Sequence, residues 1–284
     1  MTLKNYKKHF ISTLETHYPT TEVLSFFNLL AADILGFSRV DIVLEAASEI
    51  NDTNLKKLNQ ALSELGNHKP LQYILGETEF YGLPFKVNEH TLIPRPETEE
   101  LVSWILESVE NTQKKISILD IGTGSGCIAI SLAKNLPNAQ VTGYDISEKT
   151  LITATSNASL NNVSVDFKLV DILKIETLDT SFDIIVSNPP YVRNLEKKEI
   201  QKNVLEHEPH TALFVEDDDP LIFYTKIANL AKNNLNPNGL LFFEINQYLG
   251  KETVALVKSI GFNNVTLKQD IFKADRMICA SRKK

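Results

Sequence analysis

The sequence predicts an α/β protein, a doubly wound seven-stranded sheet with a small N-terminal helical bundle in front of it. Three observations carry that prediction. Ile116 to Ile121 is an apolar, β-branched run that leads straight into Gly122-Thr123-Gly124-Ser125-Gly126 and then an apolar helix, Cys127 to Asn135. Strand, glycine loop and helix in that order open a nucleotide-binding sheet. Four successive strand-like runs then end in polar groups: the 122–126 loop, Asp145, Asp171 and Asn188. Finally, residues 3–75 contain almost no glycine and repeat their apolar positions every three or four residues, the period of buried helical stripes.

In chain order, Leu3, Tyr6, Phe10 and Leu14 mark a first helix, and Val23, Leu24, Phe27, Leu30 and Ile34 a second that ends near Gly36. Ser38 or Asp41 starts a short third helix expected to bury Val40, Ile42, Val43 and Leu44. Asn51 to Gly66 reads as a fourth, with Leu55, Leu58, Leu62 and Leu65 inward. Residues 1–76 are thus one expected domain. Residues 77–99 form a hairpin and linker, with the hairpin over Phe80 to Val87 and a stiff Pro94-Arg95-Pro96 segment that places Arg95 at the mouth of the ligand site. A helix from about Glu100 to Val109 opens the third part, 100–284. Its strands are expected at 116–121, 140–144, 163–170, 182–186, 240–245, 265–269 and 276–280, with a lid or helix over 193–203.

Composition narrows the class. The 284 residues are 43% hydrophobic and 23% charged, as in ordinary globular proteins, with a formal charge of −7. That charge gives no general electrostatic grip on bare nucleic acid and points to protein or small-molecule partners. Two cysteines, Cys127 and Cys279, without paired spacing exclude a disulfide framework or a cysteine zinc site. No metal site is expected, because Pro209 breaks any helix that would align His207 with His210. The N-terminus lacks a signal-peptide core and no apolar run is long enough to span a bilayer, so a cytoplasmic protein without membrane contact is expected.

The most specific chemistry lies in Ser181 to Tyr191, SFDIIVSNPPY. A buried strand stops at Asn188-Pro189-Pro190-Tyr191, where two prolines remove two donors and fix two φ angles. The stiff turn offers the Asn188 side-chain oxygen and the Pro189 carbonyl as acceptors for the two N–H bonds of one planar NH2 group. Catalytic candidates are therefore Asn188, Pro189 and Tyr191, with Asn188, Pro189, Pro190 and Tyr191 binding substrate. The glycine loop reads GxGxG, with Cys127 where a dinucleotide fingerprint has its third glycine, and lacks the Lys-Ser/Thr pair of a P-loop. It suits an adenosine ligand with no phosphate to cradle. Candidate ligand residues are Gly122, Thr123, Gly124, Ser125 and Gly126, Asp145 for the ribose hydroxyls, Asp171 for an adenine amino group, Ile172 against the base, and Asn188.

Taken together, Pro70, Gln72, Tyr73 and Gly76, LIPRPETE (92–99), GTGSG, NPPY, Glu208-Pro209 and Ala212-Leu213 span nearly the whole chain. In these the sequence resembles the release factor glutamine methyltransferase (PrmC/HemK) family of class I S-adenosylmethionine-dependent methyltransferases. The resemblance implies the cofactor S-adenosyl-L-methionine and methylation of the glutamine side chain in the GGQ loop of bacterial peptide chain release factors. It also implies that residues 1–76 help grip the release factor, with no direct nucleic-acid contact and a monomeric enzyme. Many relatives carry an aromatic residue after the acid of the third strand; Ile172 replaces that stacking with aliphatic packing. Alternatives are a glutamine methyltransferase of a ribosomal protein and an adenine amino methyltransferase. An NAD-linked oxidoreductase is disfavoured by Cys127, and a non-enzymatic scaffold by the intact Asn188 and Asp145.

Overall fold

The computed structural model describes residues 1–111 and 114–282, so residues 112, 113, 283 and 284 of the expected third part lie outside it. The chain forms two compact units, Met1–Gly76 with Gln201–His207, and Glu77–Ile200 with Glu208–Lys284.

The first unit is built on α1 (Leu3–Leu14), α2 (Thr20–Leu35), α3 (Arg39–Leu44), α4 (Asp52–Gly66) and α5 (Leu71–Leu75). Leu3, Tyr6, Phe10 and Leu14 of α1 are buried with Val23 and Phe27 of α2 and Leu58 and Leu65 of α4. Thr2, Ser38 and Asn51 cap α1, α3 and α4 by accepting from the backbone N–H three residues on. In α3 only Ile42 is buried; Val40, Val43 and Leu44 are 65%, 72% and 74% exposed, contrary to expectation. A six-residue helix has fewer than two turns, so one residue faces the core and its neighbours face out. The helix Lys202–His207 belongs to this unit, where His207 Nε2 lies 2.9 Å from the Asn67 carbonyl oxygen.

The second unit starts with a hairpin, β1 (Glu77–Phe80) and β2 (Leu83–Lys86), three residues earlier than the sequence suggests. Its two-residue turn, Tyr81-Gly82, has positive φ at both positions, the mirror-image geometry that matches strand twist. Next, α6 runs from Pro96 to Ser108 and not from Glu100, because Pro96 sits at the first helical position, where a missing N–H costs nothing.

The sheet follows: β3 (Ser117–Ile121), α7 (Cys127–Asn135), β4 (Gln140–Asp145), α8 (Glu148–Leu160), β5 (Asp166–Leu169) and β6 (Phe182–Ser187). A small pair, β7 (Val192–Arg193) with β8 (Phe214–Val215), flanks a 3₁₀ turn at Asn194–Glu199 and α9, the Lys202–His207 helix above. Then come α10 (Ile222–Asn234), β9 (Leu235–Glu244), α11 (Gly250–Ile260), β10 (Asn264–Gln269) and β11 (Asp275–Ser281). Among the described residues the strand order is β10-β11-β9-β6-β3-β4-β5, with only β11 antiparallel to its neighbours. Side chains alternate between two cores, Leu119 and Ile185 in one and Ile118, Ile184 and Val186 in the other. From β3 the chain winds first to β4 and β5, then crosses back to β6 and β9. The crevice of an open sheet forms at such a reversal, outside the carboxyl ends of the strands.

Candidate active site

Strand register sets the site. Ile121 pairs with Ser187 and Ser187 with Phe243, so the residues that follow, Gly122, Asn188 and Glu244, come side by side at the strand ends. On the other flank Ile121 pairs with Tyr144, which puts Asp145 next to the glycine loop. Asp145 pairs with Leu169, two residues before Asp171. The sheet thus gathers the loop, Asp145, Asp171 and Asn188 along one edge.

Within the loop, Gly122, Gly124 and Gly126 all have positive φ (+73°, +57° and +82°), which a side chain would strain. A Cβ on Gly126 would also lie 2.9 Å from Ile130 and 3.3 Å from Ala154 and Phe167. The Gly122 and Thr123 amides donate to the Tyr144 carbonyl at 2.8 and 2.9 Å. Thr123 and Ser125 are buried, and the Thr123 hydroxyl donates to Asp120 at 2.7 Å, so Thr123 holds the loop from beneath. Asp120 is fully buried, its second carboxyl oxygen has no partner, and burial pushes its pKa up to about 7.

Asp145 accepts from Gly124 N at 3.0 Å with one oxygen and from Ser147 N at 2.9 Å with the other. Each oxygen keeps lone-pair capacity for another donor. Burial raises its pKa against those bonds. The α8 cap is Ser147 itself, which accepts from Thr150 N. Asp171 accepts from Leu173 N at 3.1 Å and pairs with Lys174 at 3.0 Å. Ile172 is mostly enclosed by the core around Tyr144 and Leu178. Arg95, at the start of α6, pairs with buried Glu208 at 2.5 Å, and the second oxygen of that carboxylate accepts from Ile93 N.

Asn188 is half-buried, Pro189 buried, and Pro190 and Tyr191 half-buried. The Ser187 hydroxyl donates to the Ile121 carbonyl at 2.7 Å and fixes the strand end before the turn. Asn188 Nδ2 lies 3.4 Å from Thr98 Oγ1, and the Thr98 hydroxyl donates to Glu244 at 2.6 Å. Tyr191 donates its hydroxyl to the other Glu244 oxygen at 3.1 Å, and Asn246 Nδ2 donates to the Tyr191 carbonyl at 2.9 Å. Burial raises the Glu244 pKa, and burial beside that carboxylate raises Tyr191. Sequence reasoning passed over Glu244 and Thr98. The signal for Glu244 was a lone acid closing the apolar run LLFFE; Thr98 was hidden by placing the helix start four residues late.

The segment after the turn is anchored. Glu196 is buried, accepts from the Arg193 backbone and guanidinium and from Asn246 Nδ2, and so ties the 3₁₀ turn to the end of β9. Among the described residues no three His, Cys, Asp or Glu side chains cluster to hold a metal. No described helix is long and apolar enough to cross a membrane.

A crevice at the switch point of this strand order, with a glycine loop and an Asn-Pro-Pro-Tyr turn on neighbouring strands, defines a class I methyltransferase. Residues 112–275 match the methyltransferase domain family and residues 7–76 the PrmC N-terminal domain family. The chain is 57% identical to the release factor glutamine methyltransferase of Flavobacterium psychrophilum, over 98% of both chains. It is 42% identical to that of Bacteroides thetaiotaomicron, over 95% of this chain and 96% of the relative. It belongs to the release factor glutamine methyltransferase family. In fold it is similar to a methyltransferase from Pyrococcus furiosus, with a TM-score of 0.53 at 16% identity over 82% of this chain and all of the other.

Proposed function

We propose that this protein transfers a methyl group from S-adenosylmethionine to the side-chain nitrogen of the glutamine in the GGQ loop of bacterial release factors. The observation that carries the reading is Asn188, half-buried at the end of β6, its backbone carbonyl oxygen 3.9 Å from where a Gly122 Cβ would stand. The Asn-Pro-Pro-Tyr turn and the glycine loop thus leave neighbouring strand ends side by side.

The residues fit the cofactor. The edge presents carboxylates at Asp145 and Asp171 and no P-loop lysine, an acceptor set that suits a cationic, hydroxyl-bearing ligand and repels phosphate. Asp145 has capacity for the ribose hydroxyls, Asp171 for the adenine amino group, and Ile172 offers an aliphatic edge to the base. The Gly122–Gly126 backbone lets the ligand approach without a Cβ in the way. When bound, S-adenosylmethionine supplies a sulfonium-borne methyl group open to displacement by a nitrogen nucleophile.

An amide nitrogen is a poor nucleophile because its lone pair is delocalised into the carbonyl. Asn188 Oδ1 and the Pro189 carbonyl each accept one of its N–H bonds, which orients the nitrogen and favours the positive charge that builds on it. Pro189 and Pro190 keep both acceptors in place without rearrangement, and Tyr191 packs on the glutamine stem. A positively charged amide is a strong acid, so its proton leaves without a dedicated base. The net charge of −7 favours this reading over a nucleic-acid amino group as target.

The test is incubation with methyl-labelled S-adenosylmethionine and, separately, purified release factor, ribosomal proteins and DNA, followed by mass mapping. Label on the GGQ glutamine is expected; label confined to a ribosomal protein or to DNA overturns the assignment.

A further inference from the structure

We propose that Glu244 and Thr98 are positioning residues that decide which end of the Asn188 carboxamide faces the substrate. This rests on the function proposed above and concerns a step before it, the orientation of Asn188 in the free protein.

The argument is one of donors and acceptors. A carboxamide presents an oxygen at one end and an NH2 at the other, and the two ends have nearly the same shape. Shape alone therefore leaves Asn188 free to offer either. Only the oxygen end can accept an N–H bond from a glutamine amide; the reversed amide would set NH2 against NH2. A threonine hydroxyl has one hydrogen to donate and lone pairs to accept with. Thr98 donates that hydrogen to Glu244 Oε2 at 2.6 Å, a short bond of the kind made to a carboxylate. Its oxygen is then left only as an acceptor, and Asn188 Nδ2 lies 3.4 Å away. At that length the contact adds little strength. It does, however, admit only the NH2 end, which turns Asn188 Oδ1 away from Thr98.

Glu244 fixes the polarity of the whole chain of bonds. Its second oxygen accepts from Tyr191 at 3.1 Å, so one buried carboxylate holds Tyr191 directly and reaches Asn188 through Thr98. The Tyr224 hydroxyl in turn donates to the Glu244 backbone carbonyl at 3.2 Å and holds the strand end itself. A glutamine at 244 has the same shape but only one accepting oxygen. With its NH2 toward Thr98, the threonine hydroxyl is released to donate to Asn188 and the amide is inverted. With its NH2 toward Tyr191, that hydroxyl loses its acceptor.

The experiment has two arms. In the first, the Asn188 side-chain NH2 resonances, identified by their loss in Asn188→Ala, are followed by NMR in the cofactor-free protein. They are expected to shift and to exchange faster in Thr98→Val and in Glu244→Gln, and to hold near their original positions in Thr98→Ser. Unmoved resonances in Thr98→Val overturn the proposal whatever the substrate is. In the second, turnover on release factor is measured in a double-mutant cycle. Thr98→Val should lower kcat several-fold, because a share of the molecules then offers the NH2 end of Asn188, with KM for both substrates little changed. Added to Asn188→Ala, it should cost nothing more, since it acts only through that amide. Thr98→Ser should recover most of the rate. An equal loss in both backgrounds would mark a merely structural role and overturn the proposal. A wild-type protein inactive on release factors sinks the function proposed above and leaves the first arm standing.

Discussion

Asn188 carries the largest single effect expected of any residue here. Its side-chain oxygen is one of two acceptors aimed at the reacting nitrogen, and loss of such a preorganised group costs about a hundredfold in turnover, or roughly 3 kcal/mol. Asn188→Ala should show that loss in kcat on saturating release factor, with cofactor affinity by calorimetry changing far less. Asp120 governs a different observable. Its folded pKa, about 7, lies above the ordinary 3.8, so between those values the folded protein keeps a proton that the unfolded chain has released. The stability this contributes is complete below the lower value and is lost as pH rises through the upper one. Asp120→Asn keeps an oxygen for Thr123 and removes the titration. Its melting temperature relative to wild type should climb from pH 5 to pH 8. A constant difference across that range would show that the carboxyl ionises without penalty.

At the scale of elements, the glycine loop depends on a residue far from it in sequence. Asn157, in the last turn of α8 and fully buried, donates through Nδ2 to the Ser125 carbonyl at 2.9 Å and the Lys86 carbonyl at 3.0 Å. Its oxygen accepts from Lys86 N at 2.7 Å, so one amide joins loop, helix and the β1–β2 hairpin. Asn157→Ala strands three backbone groups, one in the loop and two in the hairpin, and should cost about 2 to 3 kcal/mol, read by denaturant unfolding. Nothing near Asn157 announces this: SNASLNN looks like an exposed polar helix end. The strands, by contrast, were legible, because apolar runs such as ISILDI and FDIIVS change to polar at the point where the sheet stops. The polar edge followed from the same change, residue by residue, at Asp145, Asp171 and Asn188. What escaped were bonds between residues distant in the chain. Thr98 meets Glu244 and Asn188 only because α6 begins at Pro96, and no local pattern reports who lies across a crevice. The α3 expectation failed for the opposite reason. Four apolar residues among the five from Val40 to Leu44 said more about hydrophobicity than a helix of six residues can bury.

For the whole molecule, the division into units has a consequence for the loop after the Asn-Pro-Pro-Tyr turn. The chain passes between units at Gly76/Glu77, Ile200/Gln201 and His207/Glu208, so seven residues of the stretch following that turn fold with the helical unit. On one side of them, Glu196 is tied to Arg193 and Asn246; on the other, Glu208 holds Arg95. Both anchors lie in the second unit and do not depend on residues 1–76. The sheet, the glycine loop and Asp145 likewise draw on the second unit alone. A chain lacking residues 1–76 should therefore still bind S-adenosylmethionine with an affinity close to that of the full protein. The segment 201–207 would lose the unit it folds with, including the Asn67 carbonyl that meets His207. Exposed helices of six residues do not persist alone in water, so trypsin should cut the shortened chain after Lys202 and spare that bond in the full protein. Methyl transfer to release factor should fall sharply in the same variant, through KM if residues 1–76 grip the partner. If the shortened chain instead resists trypsin at Lys202 and keeps full activity on release factor, the helical unit serves neither the loop nor the partner.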